Sequence, residues 1–318
     1  MKLIVSQLKA LRGYVSREFY YVMADLIRDF GWQHIEPHSL WRSHGRIRKK
    51  LIDEFGELPE IILFWEEYSL LNTHAPEIVQ LNCRKCIFSD DLHWWREEMR
   101  RSKLAGFAMC DMVISTYAYL WINFYPELGH IRVAWVPHAA SPDFMVAFND
   151  SAENSIFLSG AINEFYPMRE RMLHLAQQHL YSIVYHSHPG YHCRYDYNLD
   201  QNIGPAYAKK MNRYRAAYTD SGKYSYLLAK YFEVPATGAL LLADDSVAPQ
   251  LRQLGFEENV HYLPVASCNL EEQIRFVLNE KNHTRLDEIR KNGQTLVWER
   301  HKTRDRAKQI DEACCAYN

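Results

Sequence analysis

The stretch Lys230-Tyr-Phe-Glu-Val-Pro-Ala-Thr-Gly-Ala-Leu-Leu-Leu-Ala-Asp-Asp245 decides how this chain folds. Its first residues read as the end of a helix, Pro235 to Gly238 as a tight turn, and Ala239 to Ala243 as a short buried strand. Helix, turn and apolar strand in that order belong to α/β folds, whose ligands bind outside the carboxyl ends of the strands. Glu233 therefore falls beside a ligand crevice.

Working outward, Ser155 to Leu158, Ser182 to Tyr185, Ala216 to Thr219 and His261 to Val265 read as further strands with helices between them. In such a sheet Ser159, Gly160, Tyr218, Thr219 and the turn at Pro235 to Gly238 converge on one crevice. The first half follows the same logic, with strands at Leu3 to Val5, Ile61 to Trp65, Asp111 to Ser115 and Ile131 to Val136. Phe19, Tyr20, Met23, Ala24, Leu26 and Ile27 recur at helical spacing up to a stop at Asp29 and Gly31, and a second helix spans Trp94 to Phe107. Pro137 to Asn154, with Pro142 and the polar run Asn149 to Asn154, reads as a linker. The expectation is two doubly wound parallel-sheet, Rossmann-like domains, 1–150 and 151–318, facing an interdomain cleft, with the last helix crossing back to the first.

The opening stretch resembles the K-Y-x-E-x-P-A-x-G signature of the CgeB-like glycosyltransferases, the glycosyl transferase group 1-like family. Ile156-Phe-Leu-Ser-Gly160, Tyr166-Pro-Met-Arg169, Tyr218-Thr-Asp-Ser-Gly222, Leu254-Gly-Phe256, Ile289-Arg-Lys-Asn-Gly293 and Thr303-Arg-Asp-Arg306 are similar to that family's motifs and keep its order. In the first half, Asp90-Asp-Leu-His93 and Trp135-Val-Pro-His138 are similar as well. The resemblance implies the GT-B fold, with an acceptor-side domain followed by a donor domain. It implies transfer of a sugar from a nucleotide-diphosphate sugar, such as a UDP-sugar, to a hydroxyl-bearing acceptor, with no metal and no other cofactor. It assigns Glu233 to the ribose hydroxyls, a role that suits a carboxylate with two acceptor oxygens. Enzymes of this fold that retain configuration carry another glutamate eight positions earlier, and here that place is Ser225.

Backbone amides at Thr237-Gly238 and Ser221-Gly222 are candidates for a diphosphate, because small residues let the backbone approach closely. Arg169, at a helix start, and Lys223 are the candidate cations, the alternative being ordinary surface residues. His186-Ser-His-Pro-Gly-Tyr-His-Cys193 invites a metal reading, but it reads better as a strand-end loop with His188 facing the donor. Asp91 and His93 are candidates for the base that takes the acceptor's proton, against a helix cap at Ser89 or Asp90 followed by Trp94-Trp95 packing. His138 reads as a contact between domains.

Composition bounds the rest. The 318 residues are 47% hydrophobic and 24% charged with a formal charge of −2, which excludes disorder and any global attraction to nucleic acid or anionic lipid. Trp41-Arg-Ser-His-Gly-Arg-Ile-Arg-Lys-Lys50 is the main basic run, a solvated face or a local patch for an anionic acceptor such as DNA. A glycan or small-molecule acceptor is the main expectation. A DNA-modifying glycosyltransferase and a non-catalytic nucleotide-sugar-binding protein are the alternatives. Seven cysteines, an odd number in a large chain, read as reduced thiols, and Cys83-Arg-Lys-Cys86 lacks the second pair of a structural zinc site. Met1-Lys-Leu-Ile-Val5 begins as a strand without a signal or membrane span, so a cytoplasmic location is expected.

Overall fold

The computed structural model describes residues 1–316 apart from 44 and 193. Among the described residues the chain forms two parallel sheets. The first is built from β1 Lys2–Val5, β2 Trp32–Ile35, β3 Ile61–Trp65, β4 Arg84–Ser89, β5 Met112–Ser115 and β6 Arg132–Trp135, in the order β2-β1-β3-β4-β5-β6. The second is built from β7 Glu153–Gly160, β8 Ile183–Ser187, β9 Tyr214–Thr219, β10 Leu240–Asp244 and β11 Leu263–Val265, in the order β11-β10-β9-β7-β8.

Each sheet has the burial its sequence requires. All five residues of Ile61-Ile-Leu-Phe-Trp65 are buried, as in a central strand covered on both faces. The helix Glu18–Phe30 packs Val22, Met23 and Leu26 into the same core as Ile4, Leu63 and Phe88. Gly31, at φ 71°, lets the chain leave that helix in the left-handed conformation. In the second sheet Ile156, Leu158, Ala216, Tyr218, Leu240 and Leu242 form the core, with Leu242 registered against Tyr218.

Two strands escape a sequence reading. β2 carries Gln33 and His34 between its buried ends, and β4 starts with Arg84 and Lys85, so neither shows a continuous apolar run. The helix read from Trp94 starts at Glu97, because Asp90 to Trp95 form a loop that Lys103, Thr116 and Tyr125 hold through its backbone carbonyls.

The chain divides into two compact units. One comprises Met1–Arg12, Phe19–Pro137 and the residues from Arg304 onward, and the other Gly13–Glu18 with His138–Thr303. The stretch read as a linker is firmly held within the second unit: Ala140 N–H donates to the His301 carbonyl at 2.9 Å, Gln294 to that of Val146 and Arg290 to that of Asn149. The helix Thr303–Cys315 buries Ala307, Ile310 and Cys314 in the first core, and within that unit Lys2 meets Asp311 at 2.5 Å. Among the described residues no helix is long and apolar enough to cross a membrane.

Candidate functional site

In the second sheet the strand order reverses between β7 and β9, which opens a crevice at their carboxyl ends. Gly160 closes β7 at φ 109°, and a Cβ there would lie 2.7 Å from Arg169 Nη1, so only glycine leaves room for the guanidinium. Arg169 is buried and bridges the two strand ends: Nη1 donates to the Ala161 carbonyl at 3.2 Å, Nη2 to Thr219 Oγ1 at 3.4 Å and to the Asp220 carbonyl at 3.3 Å. Its Nε lies 2.9 Å from Asp220 Oδ1, an ion pair whose angle is too poor for a hydrogen bond, and the Tyr166 ring lies 3.9 Å from its carbon. Arg169 is thus neither a surface residue nor an unbalanced cation.

A second cation enters from the helix Lys230–Ala236. Lys230 Nζ donates to Tyr207 OH at 2.6 Å and to Ser159 Oγ at 3.1 Å, and those two hydroxyls meet at 2.5 Å. His188 stands in the field of both cations; burial first, then Lys230 and Arg169, push its pKa down to about 4. Its Nδ1 accepts the Gly190 N–H at 3.0 Å.

Glu233 lies one helical turn beyond Lys230. It is buried, 7% exposed, on a helix whose residues from Tyr231 to Ala236 are all buried. Burial pushes its pKa up to about 7, with Lys230 and His138 pulling it down and Glu18 and Asp143 pushing it further up. Those neighbours form a buried network that sequence reasoning did not find. Glu18 Oε2 meets His138 Nδ1 at 2.8 Å and Oε1 accepts the Ala139 N–H at 2.6 Å, while Arg17 grips Asp143 at 2.5 and 3.0 Å. His138, read from the sequence as a contact between domains, is the partner of Glu18 within the second unit. Glu18 carried no signal, because 120 residues separate it from His138. Lys230 did, since it shares a helix face with Glu233 at i, i+3.

Several expected roles need correction. The helix runs through Pro235 to Ala236, because near a helix end a missing N–H forfeits one bond only. Thr237 and Gly238 therefore close its carboxyl end: their amides donate back to the Glu233, Val234 and Pro235 carbonyls and are not open to a phosphate. The Ser221 amide is likewise taken, by Asp244 Oδ2 at 3.2 Å, and Gly222 packs against Phe165. Lys223 is exposed and lies over the Phe165 and Tyr224 rings. Tyr218 is buried, and among the described residues its hydroxyl has no hydrogen-bond partner. His192 turns its Nδ1 to the Arg194 N–H, and Cys193 lies outside the described residues.

Asp91 and His93 belong to the first unit, past the end of β4. His93 is buried and 3.7 Å from the more exposed Asp91, with its ring edge against Trp95, which is 69% exposed. In the basic run Lys50 pairs with Glu54, and the Gly45 and Ile47 amides are fixed by Glu77; His44 lies outside the described residues. Ser225, at φ 54°, ends the short turn Gly222–Tyr224.

Residues 157–312 match the family model described as glycosyl transferase-like, which covers the crevice residues named above apart from Arg17, Glu18, His138, Ala139 and Asp143. The chain is a glycosyltransferase. Its two sheets are those of the GT-B fold. The solved structures it is similar to include a sucrose-phosphate synthase from Thermosynechococcus elongatus, at 11% identity and TM-score 0.64 over 98% of both chains. They include Anabaena HepE in complex with UDP and glucose, at 9% identity and TM-score 0.63 over 100% of both. An alpha-glucosyltransferase in complex with UDP-glucose and DNA containing an abasic site is similar at 11% identity and TM-score 0.63 over 99% of both. No curated protein matches the glycosyltransferase sequence.

Proposed function

We propose that this glycosyltransferase is CgeB-like and moves a sugar from a nucleoside diphosphate-sugar, a UDP-sugar in the first instance, to a neutral hydroxyl-bearing acceptor without a metal ion. The observation that carries the reading is Glu233: a buried carboxyl with no protein donor, one helical turn from a cation, at the point where the strand order reverses. A carboxyl at the crevice that no protein donor engages is open to the hydroxyls of a ribose, which can supply two donors. Arg169 and Lys230 furnish fixed positive charge where a diphosphate would develop its own negative charge. In the first unit Asp91 and His93 remain the proposed base, and the exposed Trp95 beside them offers a flat face to a sugar ring.

The test is calorimetric titration of UDP, followed by assay of UDP-glucose with glycan, small-molecule and hydroxymethylated-DNA acceptors, each with and without EDTA. Micromolar UDP binding and EDTA-resistant transfer to a glycan or small molecule are expected. Absence of UDP, GDP and TDP binding would sink the donor assignment. Binding without transfer or hydrolysis would favour a non-catalytic sugar-nucleotide binder, and loss of transfer in EDTA restored by one divalent ion would overturn the metal-free mechanism.

A further inference from the structure

The basic run takes no part in the donor crevice and lies in the first unit. Arg42, Arg46, Arg48 and Lys49 are exposed, and among the described residues none of them is ion-paired. Nearby carboxylates are engaged elsewhere: Glu54 meets Lys50 at 2.5 Å, and Glu77 accepts the Gly45 and Ile47 amides at 2.7 and 3.0 Å. Asp53, exposed on the same helix, pairs with none of the four. Apolar side chains stand exposed among these cations. Trp41 is 39% exposed with its ring set edge-on to His74, Ile52 is 41% exposed one turn beyond Arg48, and Val79 is 59% exposed at the end of the helix Ala75–Val79. That helix packs against the helix Ile47–Phe55, whose buried residues are Ile47 and Leu51. His74 and Glu77 thus hold Trp41, the turn after it and the start of the next helix as one surface.

We propose that this face of the first unit docks on an anionic phospholipid bilayer, with the four cations on the lipid phosphates and Trp41, Ile52 and Val79 at the level of the headgroups. A phosphate backbone alone would give those apolar side chains no partner. A membrane interface takes an aromatic ring and aliphatic groups together with the cations around them. Three of the four cations are arginines, whose planar fork donates two parallel hydrogen bonds to a phosphate. The contact is peripheral and reversible, because a few cations and partly exposed apolar side chains supply far less than a spanning helix. It is separate from the donor crevice and does not depend on the nucleotide-sugar reading.

The experiment sediments the full chain with vesicles of phosphatidylcholine, alone or mixed with phosphatidylserine, and titrates a DNA duplex in parallel. Binding to the mixed vesicles only, weakening as salt rises, is expected. Each cation near an anionic surface is worth about fivefold in affinity, so Arg48→Glu with Lys49→Glu should weaken vesicle binding by at least about 25-fold. Ile52→Ser should weaken it with every charge intact. All three side chains are exposed, so both variants should keep the wild-type melting temperature. Absence of binding to the mixed vesicles overturns the proposal, as does equal binding to both kinds of vesicle. Wild-type binding by the charge-reversed variant, or by Ile52→Ser, overturns it too. Tighter binding of the duplex than of the mixed vesicles, lost in the charge-reversed variant, would give the face to nucleic acid and overturn it as well. Should the charge-reversed variant not fold, Arg42→Gln with Arg46→Gln replaces it, and the same comparison decides.

Discussion

Glu233 shows how far a single residue could be read in advance. Its place beside the crevice follows from the local sequence, but its electrostatic surroundings do not, because the charges of Glu18, His138 and Asp143 that act on it come from far away in the chain. A carboxyl whose pKa is raised by folding opposes stability once it ionises: the native state holds a proton that the unfolded chain gives up, so stability falls as pH rises from the ordinary carboxyl range through about 7. Glu233→Gln should therefore flatten the fall in melting temperature between pH 5 and about 8. The same change should weaken UDP binding about tenfold at pH 8, by the value of a charged hydrogen bond. The difference in UDP affinity between wild type and Glu233→Gln should also grow as pH rises through 7, a comparison that cancels the ligand's own titration. A melting profile identical in both proteins would mean that the carboxyl is solvated. Lys230 was legible beside Glu233 by helical spacing, whereas Glu18 was not legible at all.

At the scale of elements, the helix Lys230–Ala236 and the strand end at Gly160 together fix the geometry of the crevice. The helix is only seven residues long, yet Tyr231 to Ala236 are all buried, so its stability comes from packing and not from propensity. A sequence reading stops it at Pro235 because propensity is all that a sequence shows locally. Gly160→Ala should cost more than 1 kcal/mol, since alanine resists a φ of 109° and its methyl would press on Arg169. UDP affinity should fall with it, and urea denaturation together with calorimetry measures both losses; a variant as stable as wild type would mean that the strand end is not constrained. Glu18→Ala strands the Ala139 amide and one nitrogen of His138 in a buried place, at about 1 to 3 kcal/mol. Glu18→Gln should recover part of that loss, because its carbonyl oxygen can still accept one of the two bonds. Equal stability of Glu18→Ala and wild type would show that water replaces the carboxylate.

For the whole molecule, two parallel sheets were legible because their central strands are continuous apolar runs, and β3 is the clearest of them. The limits of the units were not. Proline and polar residues between Pro137 and Asn154 imitate a linker, while the bonds that pin that stretch come from Gln294, Arg290 and His301, which no local pattern announces. The helix Thr303–Cys315 supplies Ala307, Ile310 and Cys314 to the core of the first sheet. Truncation after Thr303 should therefore strip hydrogen-exchange protection from β1, β3 and β4 and leave β7, β9 and β10 protected. Uniform loss in both sheets, or in neither, would refute that division.

The same helix sets an order of events during synthesis. The six strands of the first sheet leave the ribosome early, yet three side chains of their core arrive only with the helix Thr303–Cys315, after the whole second sheet. Residues 138–303 are by then complete and can close their own sheet, so the half encoded second is the half finished first. Until residues 303–315 have emerged, the nascent first sheet lacks part of its apolar cover, and a partly covered sheet is exposed to aggregation.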